Sequence, residues 1–261
     1  MCLDSSMSEV QANVQQVSVA NCAAGQSGGG VYIYGGIVNA DTLQVDACSA
    51  VDGAGIAAID TVLSMERGGA SANVASGDGG GVWAVDSSVL VQTAFFQSNQ
   101  AVYGGALMLD WCSDVLCLST TLESNQAVLR GGALYAAGVS DFDTAVEMCA
   151  VRLNSAGLGV DGVVFADGNA GRVSDSLFCG QAQHVGGTWT DLGGNTFDDQ
   201  CAVTDCPGDV DDSGVVGLGD ISVLLFGWGD CSDTCDGDID GNGAVDVQDL
   251  IEVLMRWGES C

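Results

Sequence analysis

The sequence has no lysine and a single proline, Pro207, and its positive charge rests on five arginines. Against these stand 35 carboxylates, for a formal net charge of −30 and a pI near 4.1. A surface of that sign repels phosphate backbones, which excludes nucleic acid as a partner. No run approaches the roughly 18 apolar residues that a membrane-crossing helix needs. The opening residues, MCLDSSMSEV, carry neither a basic nor an apolar stretch, so no export signal is written there. Histidine is limited to His184, in GQAQHVGGTW. That context holds no nucleophile motif, and a Ser-His or Cys-His apparatus has nothing to build on. Glycine, by contrast, is abundant: 39 of 261 residues, about twice the ordinary share of about 7 %. A hydrophobic fraction of 47 % excludes a disordered acidic tail. Twelve cysteines are many for a reducing compartment. Together with the missing export signal, they lead us to expect an extracellular or cell-surface protein whose chain is incomplete at its N-terminus.

Over the first two hundred residues a pattern repeats. GGGVYIY (28–34), GAGIAAI (53–59), GGGVWAV (79–85), GGALMLD (104–110) and GGALYAA (131–137) recur, with a weaker copy, DGVVFAD, at 161–167. Taking Val31, Ile56, Val82, Leu107, Leu134 and Val164 as markers, the spacings are 25, 26, 25, 27 and 30. Asn-x-Ala precedes most of them, beginning at Asn21, Asn73, Asn99, Asn125 and Asn154. Helices are a poor fit, since each glycine doublet would cost a helix about 1 kcal/mol per residue. Short alternating strands with glycine corners fit a coil of parallel β-helix, in which equivalent residues stack at about 4.8 Å. About seven coils then make a rod of roughly 35 Å. The markers should point inward, and the asparagines should form a ladder that satisfies turn backbone. Tyr32, Ala57, Trp83, Met108, Tyr135 and Phe165 should point outward. Its aromatic members, Tyr32, Trp83, Tyr135 and Phe165, form a candidate stripe for stacking against sugar rings or docking another protein.

Phe96-x-x-Asn99 followed by Gly104-Gly105-Ala106-Leu107, and Leu122-x-x-Asn125 followed by Gly131-Gly132-Ala133-Leu134, resemble the repeats of polymorphic outer-membrane proteins and related right-handed parallel β-helices of the pectin-lyase-like type. The resemblance covers about residues 10–200 and implies an all-β, right-handed parallel β-helix over 1–201. That fold hosts lyases, hydrolases, adhesins and passenger domains, so it does not choose an activity. A lyase of this kind needs calcium-binding acids and a base. Arg130, Arg152 and Arg172 are the bases in the later coils, and the hydrolases' lysine is missing.

Beyond Cys201 the pattern changes. PGDVDDSGVVGLGDISVLLFGWG (207–229) aligns with DGDIDGNGAVDVQDLIEVLMRWG (236–258) at a constant offset of 29. Each half opens with alternate oxygen-bearing residues and a glycine, the arrangement that aims ligands at one Ca2+. Loop one offers Asp209, Asp211, Ser213, the Val215 carbonyl and Asp220; loop two offers Asp238, Asp240, Asn242, the Ala244 carbonyl, Asp246 and Asp249. The second set is richer and predicts the tighter site. After each loop comes an amphipathic helix pattern, Ile221, Leu224, Leu225 and Trp228 against Leu250, Val253, Leu254 and Trp257, and each stripe should bury itself against the other.

This tandem unit, residues 206–261, resembles a dockerin type I module, with Asp at position 12 in place of the usual Glu. The resemblance implies two Ca2+ sites and a cohesin-like receptor. At the recognition positions 10 and 11, however, stand Leu218-Gly219 and Val247-Gln248 in place of the family's frequent hydroxyl pair. Cys206, Cys231, Cys235 and Cys261 allow three connectivities, which stay open; if the halves are related by a pseudo-twofold, 231–235 with 206–261 is favoured. Of the other cysteines, Cys112 and Cys117 are close enough in sequence to pair, and the rest read as buried thiols. Carboxylate pairs occur at Asp110/Asp114, Asp141/Asp143 and Asp198/Asp199, as 35 carboxylates make unavoidable. The expected function is binding or adhesion, to polysaccharide or a cell-surface protein, with calcium in a structural role. The alternative is a carbohydrate-active enzyme, a polysaccharide lyase or a glycoside hydrolase. A cleft joining Arg with two or more carboxylates would favour the enzyme; a smooth aromatic flank favours binding.

Overall fold

A computed structural model describes residues 10–138, 144–201, 208–210, 215–230, 237–240 and 242–258. The chain divides into two units, 1–201 and 202–261.

The first unit is a parallel β-solenoid of about seven turns. Its columns run Val31, Ile56, Val82, Leu107 and Leu134, each paired with the next. The column continues into Val163, one residue before the expected marker. Val164 therefore shares a column with outward Tyr135, and Phe165 shares one with inward Ala136. The slip arises where Asp161 takes the slot of the second glycine, because the spacing from Leu134 to Val163 is 29, not 30. Phe165 is only 1 % exposed and belongs to the core together with Phe96 and Phe178. Each such side chain contributes about 1.5–3 kcal/mol by leaving water.

Both halves of the glycine doublet have physical reasons. The first glycine turns the chain with a left-handed backbone, φ +65° at Gly79 and +61° at Gly104. The second lies against the next coil: a Cβ on Gly105 would come within 2.3 Å of the Gly132 carbonyl oxygen. Coils are thus stacked backbone on backbone at this corner, and any side chain would pry them apart.

A ladder of amides holds another corner. Asn73 Nδ2 donates to Asn99 Oδ1 (2.9 Å), Asn99 to Asn125 (3.0 Å) and Asn125 to Asn154 (3.0 Å). Each of Asn73, Asn99, Asn125 and Asn154 also donates to a main-chain carbonyl at 2.8–2.9 Å. Their Oδ1 atoms accept main-chain N–H groups of Cys48, Asn73, Asn99 and Asn125. Gln181 extends the series at the far end. The first expected rung, Asn21, is not in it. Asn21 adopts a left-handed conformation (φ 56°), the position held by Ala72, Ser98 and Ser124 in later coils. Cys22 and Cys48 fill the ladder slots of the first two coils, with Cys22 N–H donating to Cys48 Sγ at 3.4 Å. Asparagine tolerates the left-handed region, which explains its presence one residue early.

Cys48 and Cys149 are buried free thiols, as expected, while other cysteines differ from expectation. Cys179 and Cys201, 22 residues apart, form a disulfide across the last coils. Cys112 and Cys117 remain separate and free. Cys112 points its thiol at the Ala84 carbonyl (3.4 Å), while Cys117 lies 3.5 Å from Cys149. Cys206, Cys231, Cys235 and Cys261 lie outside the described residues.

In the second unit two nine-residue helices form, α1 (Leu218–Phe226) and α2 (Val247–Met255). Their shared core is Val216, Leu224, Val245 and Val253, edged by Val210, Ile221, Ile239 and Leu250. Every member has its counterpart 29 residues away, so the core has the two-fold pattern of the sequence. Only half of each expected stripe is buried. Leu225 and Leu254 are 61 % and 52 % exposed, and Trp228 and Trp257 also face solvent. A helix of two and a half turns places one i, i+3 pair against its partner and leaves the i+4 and i+7 positions outside.

Candidate functional site

Two places gather chemistry: an outer flank of the solenoid and the second acidic loop. On the flank, Tyr32, Ala57, Trp83, Met108, Tyr135 and Val164 occupy one outward column. Tyr32 and Trp83 remain partly exposed. Tyr135 is only 8 % exposed, because Tyr103 folds over it with ring centroids 4.9 Å apart. Met108, Tyr135, Ala137 and Val164 form an outer apolar cluster, with Trp83, Tyr103, Val160 and Ala166 packed on it. The expected solvent-facing stripe is therefore an aromatic mound whose accessible members are Trp83 and Tyr103, with Tyr32 partly exposed two coils away in the same column. Phe165 is excluded from it by its place in the core, and Tyr103 was hidden from sequence reasoning because it ends a different strand, Gln100–Tyr103.

Carboxylates border the mound. Burial pushes the Asp78 carboxyl above its ordinary value, and neighbouring Asp52 adds to the shift. Asp110 is raised for the same first reason, with Asp86 and Asp167 contributing repulsion. The Tyr135 phenol is pushed up by burial and then by Asp167, while Arg130 acts in the opposite direction. Beyond Tyr135 the flank opens into a cavity of about 510 Å3 whose walls include Arg130, Asp167, Gln183 and Thr188 over Val160 and Val164. The cavity brings Arg130 together with one carboxylate, Asp167. Arg152 pairs elsewhere, with Glu123 at 3.4 Å. His184 packs beside the stacked pair Phe178 and Phe197, with ring centroids 6.4 and 5.6 Å away.

In the second loop, carboxylate oxygens of Asp238, Asp240 and Asp249 converge within 4.8 Å of one another. The loop is drawn tight by its own backbone. Asp238 accepts from the Asn242 and Gly243 N–H groups (3.0 and 2.9 Å), and Asp240 accepts from Asn242 (3.0 Å). Asn242 in turn accepts from Ala244 N–H. Asp249 is fully buried and takes N–H groups of Ile239 (2.8 Å), Asp240 (3.2 Å) and Asp246 (2.8 Å). Burial works to raise its carboxyl, but these donors outweigh burial and hold it below the ordinary value. Asp246 caps α2 by accepting from Gln248 N–H at 2.7 Å. In the first loop Asp220 repeats the role of Asp249, accepting from Val210 and Gly217 N–H at 2.6 Å. Asp209 and Val215 are described there; Asp211 and Ser213 lie outside the described residues, as do Asp141 and Asp143 of the solenoid.

These features define the class: a parallel β-solenoid followed by a unit of two short helices with acidic loops. No protein-family model, no curated protein and no solved structure matches the chain. Among the described residues, no helix is long and apolar enough to cross a membrane.

Proposed function

We propose that this chain is a binding or adhesion protein, secreted or displayed on a cell surface, that holds carbohydrate along the outer flank of a right-handed, pectin-lyase-like solenoid. The observation that carries this reading is the mound of Trp83, Tyr103 and Tyr135, with Tyr32 further along the same column, running into an open cavity with polar walls. Aromatic faces offer sugar C–H surfaces a flat, water-shedding support, and bordering carboxylates accept hydroxyl hydrogens. As the test, Trp83→Ala should lose retention in affinity electrophoresis on polysaccharide gels with an unchanged circular dichroism spectrum. Retention equal to wild type would refute the flank as the binding surface. The cavity wall holds one carboxylate opposite Arg130, which favours binding over the lyase or hydrolase alternative.

The second part of the proposal is that the C-terminal unit is dockerin-like and takes two Ca2+ ions, a role that supports attachment to a partner. The convergence of Asp238, Asp240 and Asp249 supports the second site. Residues 206–261 hold 13 carboxylates against one Arg. An ion would relieve their repulsion, so its binding energy becomes folding energy. Calorimetry on the full chain should show Asp238→Ala costing more Ca2+ affinity than Asp209→Ala. Equal losses would overturn the ranking, and no heat above buffer would overturn the sites.

A further inference from the structure

The cavity at the end of the flank is built by an irregularity in the solenoid. Strand Val163–Ser174 pairs with Val185–Asp191, but the register jumps from Phe165↔Gly187 to Ala170↔Thr188. Residues 166–169 are thereby expelled from the ladder. Asp167 and Gly168 hold left-handed backbone there (φ 53° and 93°). Asn169 is 3 % exposed, and its Oδ1 has no hydrogen-bond partner. Across the cavity Arg130 ends the strand Gln126–Arg130 and is exposed. Its stem passes Gly159, where a Cβ would lie 3.5 Å from Arg130 Cγ. Arg130 and Asp167 line the same space, and among the described residues no ion pair joins them.

We propose that this cavity is a subsite for a neutral sugar ring with vicinal hydroxyls, and that it discriminates against uronates. The inference rests on the carbohydrate-binding reading above and names the ligand class of that surface. Opposite charges held apart across a cavity suit a ligand that both donates and accepts at neighbouring atoms. A guanidinium fork donates to two hydroxyl oxygens, and a carboxylate accepts from two hydroxyl hydrogens. Gln183 supplies both functions, and Val160 and Val164 form an apolar floor for the C–H face of a ring. A cavity of about 510 Å3 is within the range of small-ligand sites, roughly 300–1,000 Å3. The sign of the field selects against acids. One cation, Arg130, faces Asp167 in the cavity and Asp78, Asp86 and Asp110 along the approach over the mound. A uronate carboxylate would enter a field that is negative on balance.

The full chain is tested by affinity electrophoresis and calorimetry against xylan, glucomannan, mixed-linkage glucan and arabinogalactan, with polygalacturonate as the acidic probe. At least one neutral polymer should be retained and polygalacturonate should not. Arg130→Gln and Asp167→Asn should each weaken the neutral interaction tenfold or more. Both positions are exposed, and asparagine accepts the left-handed conformation at 167, so the variants remain folded. Tighter binding of polygalacturonate, or wild-type affinity in both variants, would overturn the proposal. If Trp83→Ala abolishes binding while both cavity variants retain it, the flank stands and the subsite falls. Retention on no polymer defeats both.

Discussion

Asn125→Ala removes one rung from the middle of the amide ladder, and its cost can be worked from four hydrogen bonds. The Asn125 side chain donates to Phe96 O (2.9 Å) and Asn154 Oδ1 (3.0 Å). It accepts from the main-chain N–H and the side-chain amide of Asn99, both at 3.0 Å. After truncation Asn99 Nδ2 keeps its bond to Ala70 O, and Asn154 Oδ1 keeps the Asn125 N–H. One buried main-chain group is left without a partner, the Asn99 N–H, because the Phe96 carbonyl keeps its place in the parallel ladder between 95–97 and 121–123. A buried polar group without a partner costs about 1–3 kcal/mol, and the loss should fall in that range. That is a large fraction of the roughly 5–15 kcal/mol that holds a typical domain folded. Urea denaturation followed by circular dichroism measures the loss. Hydrogen exchange localises it, with the Asn99 amide losing protection first. The control is Gln126→Ala, next along the chain and exposed, which should stay within about 0.5 kcal/mol. A cost below about 1 kcal/mol, or one equal to the control, would refute the reasoning that the ladder satisfies backbone no other group can reach.

Gly105→Ala should unstack its coil and lower the melting temperature by many degrees, since the Gly132 carbonyl oxygen stands 2.3 Å from the new carbon, whereas Gly25→Ala meets nothing within 4 Å and should be silent. Asp110→Asn should stabilise the protein at neutral pH. Its carboxyl is raised in the folded state, so the native chain binds the proton more tightly and stability falls as pH rises through the folded value. Melting curves at pH 7 and pH 3 should therefore differ between wild type and variant only at the higher pH. Cys112 is buried, its thiol pushed up to about 11, so native-state alkylation read by mass spectrometry should label half-buried Cys22 well before Cys112.

The solenoid was legible because a repeat exposes its columns: once two glycine doublets and two asparagines share a phase, stacking follows from backbone geometry. Legibility failed where the phase changed. Between Leu134 and Val163 two adjacent valines offered two alignments, and the wrong one turned Phe165 outward and Val164 inward. Tyr135 was placed on the correct face, but its burial depends on Tyr103, which arrives from another strand of the coil. The disulfide Cys179–Cys201 escaped notice because its 22-residue separation falls short of the dominant repeat. In the second unit, periodicity identified the helices. The division of each stripe into a buried and an exposed half depends on how the two helices meet, which periodicity does not encode.

Register between coils is kept by columns rather than by counting residues. Within paired strands, extra residues are absorbed where the ladder opens, at Ser88/Val89, at Ala101/Tyr103 and at Phe165/Ala170. Two of these openings supply the cavity. Tyr103 meets Arg130 across one, and the other expels Asp167. The rod thus separates two kinds of variation. A change within a column propagates to the coils above and below it, and the amide ladder penalises it. A change in length at an opening stays local and reshapes only the outer surface. Selection can then rewrite what the flank recognises, one corner at a time, while the interior that carries it stays the same.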